Sequence, residues 1–220
     1  MKKLLLTLAV AGICSGAAMA EVDLDNETEK LSYSLGLMIG DRVTQRYGEL
    51  DFEALLEGIK QQHEGAETSI DLQQAQTILQ EYDQKAAAER ASKAKAEGDA
   101  FLAENKARDG VIVTESGLQY EVLTEGDGPK PVASDNVSVH YVGTLMDGKV
   151  FDSSRERGTP AEFGLTGVIP GWTEGLQLMN VGSTYRFVIP SDLGYGERGA
   201  GGDIGPGETL VFEVELLEIK

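Results

Sequence analysis

All six prolines of this 220-residue chain lie beyond Asp109, and residues 26–108 contain none. Proline locks φ and removes a backbone donor, so a helix interior excludes it. The proline-free stretch is therefore open to helix throughout, whereas the later half, which also holds most of the glycines and the single Trp, is not. A boundary near Asp109-Gly110 divides the chain into two textures. The first residues belong to neither: Lys2 and Lys3 precede an apolar run over 4–13, and Ala18-Met19-Ala20 follows as a small-x-small cleavage pattern. Residues 1–20 are read as a signal peptide, with Glu21 the mature start. The apolar run is shorter than the roughly 20 residues needed to cross a bilayer, so no transmembrane segment is expected in the mature chain. Ile13, not a small residue, precedes Cys14, which argues against lipidation. Cleavage removes the only cysteine and with it disulfide and thiol chemistry.

Charge and composition narrow the options further. Lys plus Arg number 19 against 37 Asp plus Glu, a formal net charge of -18. Such a surface repels phosphates, so nucleic acid is not an expected partner. Two histidines outside any ligand-spaced cluster give no metal site, and no cofactor is expected.

Within the first half, Leu31, Leu35, Met38, Ile39 and Val43 recur at helical spacing and Gly48 follows as a C-cap, predicting a helix over 27–47. Phe52, Leu55, Leu56 and Ile59 repeat the pattern between Asp51 and Gly65. Asp71 with Gln74 resembles a capping box and opens a third helix that meets no strong breaker before Asp109-Gly110. If continuous it would reach about 55 Å, and its 85–97 stretch is nearly all alanine and charge. That segment is read as a solvated strut joining two modules. Two short amphipathic helices make a poor core alone, so a second copy of the chain is expected to complete their apolar faces. Gly36 and Gly40 either permit close approach of helix backbones or lie near a bend. They are not a membrane motif, because Asp41, Arg42 and Arg46 adjoin them.

The second half reads as strands. Val137, Val139 and Tyr141 alternate with Ser138, His140 and Val142, and Met146-Asp147-Gly148-Lys149 is a hairpin signal into Val150-Phe151. Residues 119–123, 185–189 and 210–219 add period-two runs, and 170–179 is the one stretch able to form a short helix. The fold class is α+β, an antiparallel sheet with a short helix to cover one face, preceded by an all-α region. His140 is expected on the solvent side of its strand and His63 on a helix surface.

Enzyme signatures are mostly excluded. There is no Gly-x-Ser-x-Gly, Walker loop or His-Glu-x-x-His. Gly194-Tyr195-Gly196-Glu197-Arg198-Gly199 matches the dinucleotide fingerprint by letter, but the glycine-rich run after it forbids the helix that the motif needs. Read physically, residues 191–208 are a glycine-rich loop displaying Tyr195. What remains is an apolar aromatic set: Tyr141, Phe151, Phe163, Val168, Ile169, Trp172, Tyr195 and Phe212, with Asp152 directly after Phe151. Taken singly, Trp172, Phe151 and Phe212 read as core residues and Asp152 as a turn residue. Their joint order and spacing point instead to an apolar ligand site.

Val139-His140-Tyr141, Asp147-Gly148-Lys149-Val150-Phe151-Asp152-Ser153-Ser154, Val168-Ile169-Pro170-Gly171-Trp172, Tyr195-Gly196 and the run from Thr209 to Leu216 together resemble the FKBP-type peptidyl-prolyl cis-trans isomerases. The helical half resembles, in arrangement more than in motif, the macrophage infectivity potentiator subgroup of that family. The resemblance implies a half-open antiparallel sheet wrapped around a short helix, with a proline ring seated over the Trp172 indole. Tyr141, Phe151, Phe163, Val168 and Phe212 would wall the pocket, and the Ile169 N–H and Tyr195 hydroxyl would hold substrate carbonyls. Asp152, at the mouth, would either orient the aromatics or polarise the substrate. Catalysis would then rest on Trp172, Asp152 and Tyr195 without a covalent step. Ala161, Ala200 and Asp203 depart from the family's usual residues, which implies altered affinity for macrocyclic inhibitors and altered preference for the residue before proline.

The expected organisation is a signal peptide over 1–20, a helical dimerisation domain over 21–70, a connecting helix over 71–108 and an isomerase domain over 109–220. The expected function is a periplasmic, homodimeric isomerase, in the outer-membrane fraction or free, that speeds folding of proline-containing exported polypeptides. The alternative is a non-catalytic chaperone that holds unfolded chains in a cleft between protomers.

Overall fold

The computed structural model describes residues 22–220, so the signal peptide expected over 1–20 lies outside the described residues. Helix α1 (Glu27–Tyr47) starts where the Asn26 side-chain oxygen accepts the N–H groups of Thr28 and Glu29 at 3.0 and 3.3 Å. It stops at Gly48, whose φ of 69° few other residues tolerate. Helix α2 (Phe52–Glu64) repeats the device, with Asp51 as its N-cap and left-handed Gly65 at its end. Gly36 and Gly40 lie inside continuous α1 with open space where a Cβ would point. No residue of α1 or α2 is buried. Leu31, Leu35, Met38, Phe52, Leu56 and Ile59 all face solvent.

The described chain divides into two compact units, one ending at Asp71 and the other spanning Leu72–Lys220. Helix α3 (Leu72–Asn105) begins the second unit and is about 50 Å long. It ends in a buried polar cluster. Asn105 donates from Nδ2 to Gln119 Oε1 at 2.8 Å and accepts at Oδ1 from Arg108 and Arg186, each at 3.0 Å. Gln119 Nε2 in turn donates to the Leu102 carbonyl at 2.9 Å. Each of these buried amides finds partners, so the helix end is tied to the sheet it adjoins. Ala91, inside the stretch expected to stay solvated, is buried at 8 % exposure, as is Gly98 further along.

Seven strands follow, β1 (Val111–Val113), β2 (Gln119–Thr124), β3 (Asn136–Thr144), β4 (Val150–Ser153), β5 (Ala161–Gly164), β6 (Thr184–Ile189) and β7 (Leu210–Ile219). They form one antiparallel sheet in the order β1-β2-β6-β7-β3-β4, with β5 also paired to β3. Period-two reading located four of these strands; β1 and β5, with three and four residues, are too short to carry a period. On the inner face Val137, Val139 and Tyr141 of β3 meet Leu210, Phe212, Val214 and Leu216 of β7 and Tyr185, Phe187 and Ile189 of β6. His140 points to the other face but is only half-buried, not fully solvated, with Nδ1 3.1 Å from the Ser154 hydroxyl. β4 and β5 share one edge of β3, the first pairing residues 142–144 and the second 136–139. In the gap between them Ser154 takes over as partner: its Oγ accepts the Tyr141 N–H at 2.8 Å and its N–H donates to the Tyr141 carbonyl at 3.1 Å.

Helix α4 (Pro170–Leu178) covers the inner face, opened by Pro170 at a position where the missing N–H costs nothing. Trp172 and Leu176 lie four apart and both are buried. The helix lies flush because Gly171 and Gly175 meet the sheet: a Cβ on Gly171 would sit 2.5 Å from Ile189 Cγ2, and one on Gly175 would sit 2.7 Å from Phe187 Cε1. Glycine inside a helix costs about 1 kcal/mol relative to alanine, so close packing outweighs propensity here. Gly175→Ala is therefore expected to destabilise the protein by about 1–3 kcal/mol through overpacking, instead of stabilising it. Urea unfolding followed by the fluorescence of the single Trp checks this, and a rise in the midpoint would contradict it.

Candidate functional site

The inner faces of β3, β4, β5 and β7 do not close over α4, and between them lies a cavity of about 420 Å³. That size falls within the roughly 300–1,000 Å³ typical of small-molecule sites. Trp172 lines it from the first turn of α4, with Val168 and Ile169 from the segment that leads into the helix. Tyr141, Phe151, Phe163 and Phe212 come from four strands, and Asp152 and Tyr195 complete the wall. All nine residues singled out in the sequence are thus brought together, joined by Gly167.

The indole of Trp172 is caged edge-on. Its centroid lies 5.1 Å from that of Tyr141 at 88°, 5.5 Å from Phe163 at 89° and 5.2 Å from Phe212 at 78°. Such T-shaped pairs set the positive edge of one ring against the negative face of another, each worth about 0.5–1.5 kcal/mol beyond area burial. Phe151 extends the set by standing perpendicular to Phe212 at 5.4 Å. The Trp172 Nε1 hydrogen is buried and, among the described residues, has no hydrogen-bond partner. The one donor of the indole is thus withdrawn from the surface. Gly143 makes room for the wall: a Cβ there would lie 2.7 Å from both the Phe151 and Phe212 rings.

The polar side of the cavity is a single linked group. The Tyr141 hydroxyl donates to Asp152 Oδ2, while Arg157 Nη1 donates to Asp152 Oδ1. Arg157 Nη2 also donates to the Tyr141 hydroxyl at 2.9 Å, and the guanidinium carbon sits 5.6 Å from that ring's centroid. Burial, seconded by the bond to Asp152, holds the Tyr141 phenol above its ordinary pKa, so it stays a donor. Burial works against the Asp152 charge, but the bonds from Tyr141 and Arg157 and the guanidinium charge outweigh it and the net shift is downward. Asp152 is thus an ionised, doubly bonded carboxylate, suited to fixing a ring and unsuited to proton transfer near neutral pH.

Arg157 was not legible in the sequence as a site residue. It follows Ser153-Ser154-Arg155-Glu156 in an irregular loop, where a cation carries no periodic signal. Tyr195 sits on the rim at 40 % exposure, followed by a short 3-10 turn, Gly196–Arg198, with no long helix of the kind a dinucleotide fingerprint requires. Ala161 lies on β5 in register with Val139, while Ala200 and Ile204 pair with each other and so close the glycine-rich loop on itself.

Comparison with known proteins agrees with this geometry. Residues 128–217 match the FKBP-type peptidyl-prolyl cis-trans isomerase family, and residues 28–122 match the domain amino terminal to FKBP-type peptidyl-prolyl isomerase. The chain is 42% identical over 230 residues to the "Outer membrane protein MIP" of Legionella longbeachae, covering 100% of this chain and 99% of the relative. It is 46% identical over 205 residues to the "FKBP-type 22 kDa peptidyl-prolyl cis-trans isomerase" of Escherichia coli K12, covering 91% and 100%. Among solved structures, FkpA from Escherichia coli superposes with a TM-score of 0.73 at 36% identity, over 89% of this chain and 97% of that one. Identity of this extent over whole chains, matched by the same open sheet and covering helix, means that the chain belongs to the FKBP-type peptidyl-prolyl cis-trans isomerases.

Proposed function

We propose that this isomerase rotates the X-Pro bond inside the Trp172 cavity by desolvation and shape, with no covalent step. Rotation about the peptide C–N bond meets a barrier of about 18–20 kcal/mol because resonance gives it partial double-bond character. Water favours the charge-separated resonance form, so moving the prolyl amide onto an indole floor lowers the planar state's advantage over the twisted one. The observation that carries the reading is the cage itself: three rings stand steeply to Trp172 around an apolar cavity that the indole lines, the place proposed for a pyrrolidine. Among the described residues Asp152 is the only carboxylate in the lining, and its bonds to Tyr141 and Arg157 support a role in holding the wall. The Ile169 N–H and the Tyr195 hydroxyl are the groups for the substrate carbonyls, with Val168 and Phe163 closing around the ring.

The wider reading is of an exported enzyme acting on proline-containing polypeptides as a homodimer through residues 21–70. The leader-like first twenty residues support export to the periplasm. The uncovered Leu31, Leu35, Met38, Phe52 and Leu56 support self-association, since solvent-facing apolar sets of that extent mark interaction surfaces. The same residues favour a second activity in which a cleft between protomers holds unfolded chains for the pocket.

Three outcomes are expected. In a protease-coupled proline-peptide assay, Trp172→Ala and Asp152→Ala lose about 10- to 100-fold in kcat/KM, as displaced site groups do; wild-type rates in both would refute the pocket. The Asp152 ion pair, its carboxyl held below the usual value of about 3.9, keeps its full contribution above about pH 4 and loses it as pH falls through the lower folded value. Activity between pH 5 and 8 is accordingly flat, and a titration in that window would contradict the assignment. By light scattering the mature protein is a dimer and Leu35→Glu/Met38→Glu shifts it to monomer with peptide activity kept; a monomeric wild type would overturn the role given to 21–70.

A further inference from the structure

The third helix touches the domain in an unusual way. Along its C-terminal half Ala91, Ala94, Gly98, Leu102 and Asn105 recur at spacings of three and four, and all are withdrawn from solvent while Lys93, Ala96 and Glu97 are exposed. The stripe is made mostly of small residues, and it meets backbone at Gly207 and a short side chain at Thr209. A Cβ on Gly207 would lie 2.5 Å from the Ala91 carbonyl oxygen and 3.1 Å from its Cα, and Gly207 also has φ of 78°. A Cβ on Gly98 would lie 2.3 Å from Thr209 Oγ1. Two close contacts therefore clamp residues 207–209 directly against the helix.

Residues 207–209 are the returning arm of the glycine-rich loop, and Gly207 connects them to the site. Its N–H donates to the Gly196 carbonyl at 2.9 Å, and Gly196 directly follows Tyr195 on the cavity rim. Within the loop, Ala200 and Ile204 exchange backbone hydrogen bonds at 2.9 and 3.2 Å, so displacement at the base is transmitted instead of absorbed. The helix itself cannot slide, because Asn105, Gln119, Arg108 and Arg186 bind its end to β2 and β6. We infer that the C-terminal half of α3 is a brace for the active-site loop, with Ala91 and Gly98 as positioning residues that hold Tyr195 at the rim through Gly207 and Gly196. The connecting helix is then part of the isomerase machinery. This inference rests on the proposed role of Tyr195 in binding substrate.

The test uses the full mature chain. Ala91→Leu and Gly98→Leu each place a large side chain in the contact; Ala96→Leu makes a like change on the exposed face. Amide exchange at Gly207 reads the loop base, and KM and kcat on a proline tetrapeptide read the site. The expected result is faster Gly207 exchange and KM raised about 10-fold in Ala91→Leu and Gly98→Leu, with kcat little changed and Ala96→Leu like wild type. Wild-type KM beside accelerated exchange, or unaltered exchange in both variants, would overturn the brace. Tyr195→Phe separates the two ideas: if it is silent the pocket role of Tyr195 fails and the brace with it, whereas a raised KM there beside unchanged Ala91→Leu and Gly98→Leu defeats the brace alone. If the leucine variants prove too unstable to assay, Gly98→Ala and Gly98→Ala/Thr209→Ala read the same contact. KM then rises in the first and recovers in the second, where the clashing Oγ1 is gone; no rise, or no recovery, counts against the brace.

Discussion

An indole can floor a cavity only if the helix that carries it lies close enough to the sheet for the surrounding rings to reach it. Gly171 and Gly175 supply that closeness, standing on either side of Trp172 and bringing α4 against Ile189 and Phe187. The rest of the site follows. Once α4 is flush, Tyr141, Phe163 and Phe212 reach the indole at steep angles and centroid separations of 5.1–5.5 Å. The enzyme's apolar floor is a consequence of two residues with no side chain.

Three polar side chains of the site, Tyr141, Asp152 and Arg157, bond to one another. Tyr141 gives its hydrogen to Asp152, Arg157 bonds both, and none of the three is left to exchange a proton with a ligand near neutral pH. The desolvation proposed above calls for ionisable groups that are held in this way, since a free charge beside the prolyl amide would restore the polar surroundings that stabilise its planar form. The same network fixes the Tyr141 ring, and through it one edge of the Trp172 cage. Electrostatics here serves geometry.

Much of this was legible in residue patterns, and the exceptions have a common cause. Gly48, Asp51 and Gly65 marked ends of α1 and α2 because caps act locally, through hydrogen bonds a few residues away. β2, β3, β6 and β7 were visible because each is long enough to alternate. β1 and β5 were not, and neither was Arg157, whose partners Tyr141 and Asp152 lie 16 and 5 residues away across a loop. His140 lies on the outer face of its strand, as the alternation implies, but it is half-buried there and bonded to Ser154, which fills the gap between β4 and β5. Local rules fail where the partner is set by topology.

The long helix gives the sharpest case. A run of alanine and charge over 85–97 carries almost no hydrophobic periodicity, and by the usual reasoning such a helix stays in water. Large apolar residues at helical spacing mark a face that must be covered by side chains, as on α1 and α2. Small residues at that spacing mark a face that another segment approaches closely, with backbone or a short side chain, and a hydropathy pattern is blind to it because glycine and alanine are scarcely hydrophobic. Ala91 and Gly98 belong to this second kind: their burial comes from the near approach of Gly207 and Thr209, not from any side chain of their own. Two glycines from distant parts of the chain, one on the helix at 98 and one at the end of the loop at 207, are therefore more informative together than either texture suggested, since each is required by the closeness of the other's segment.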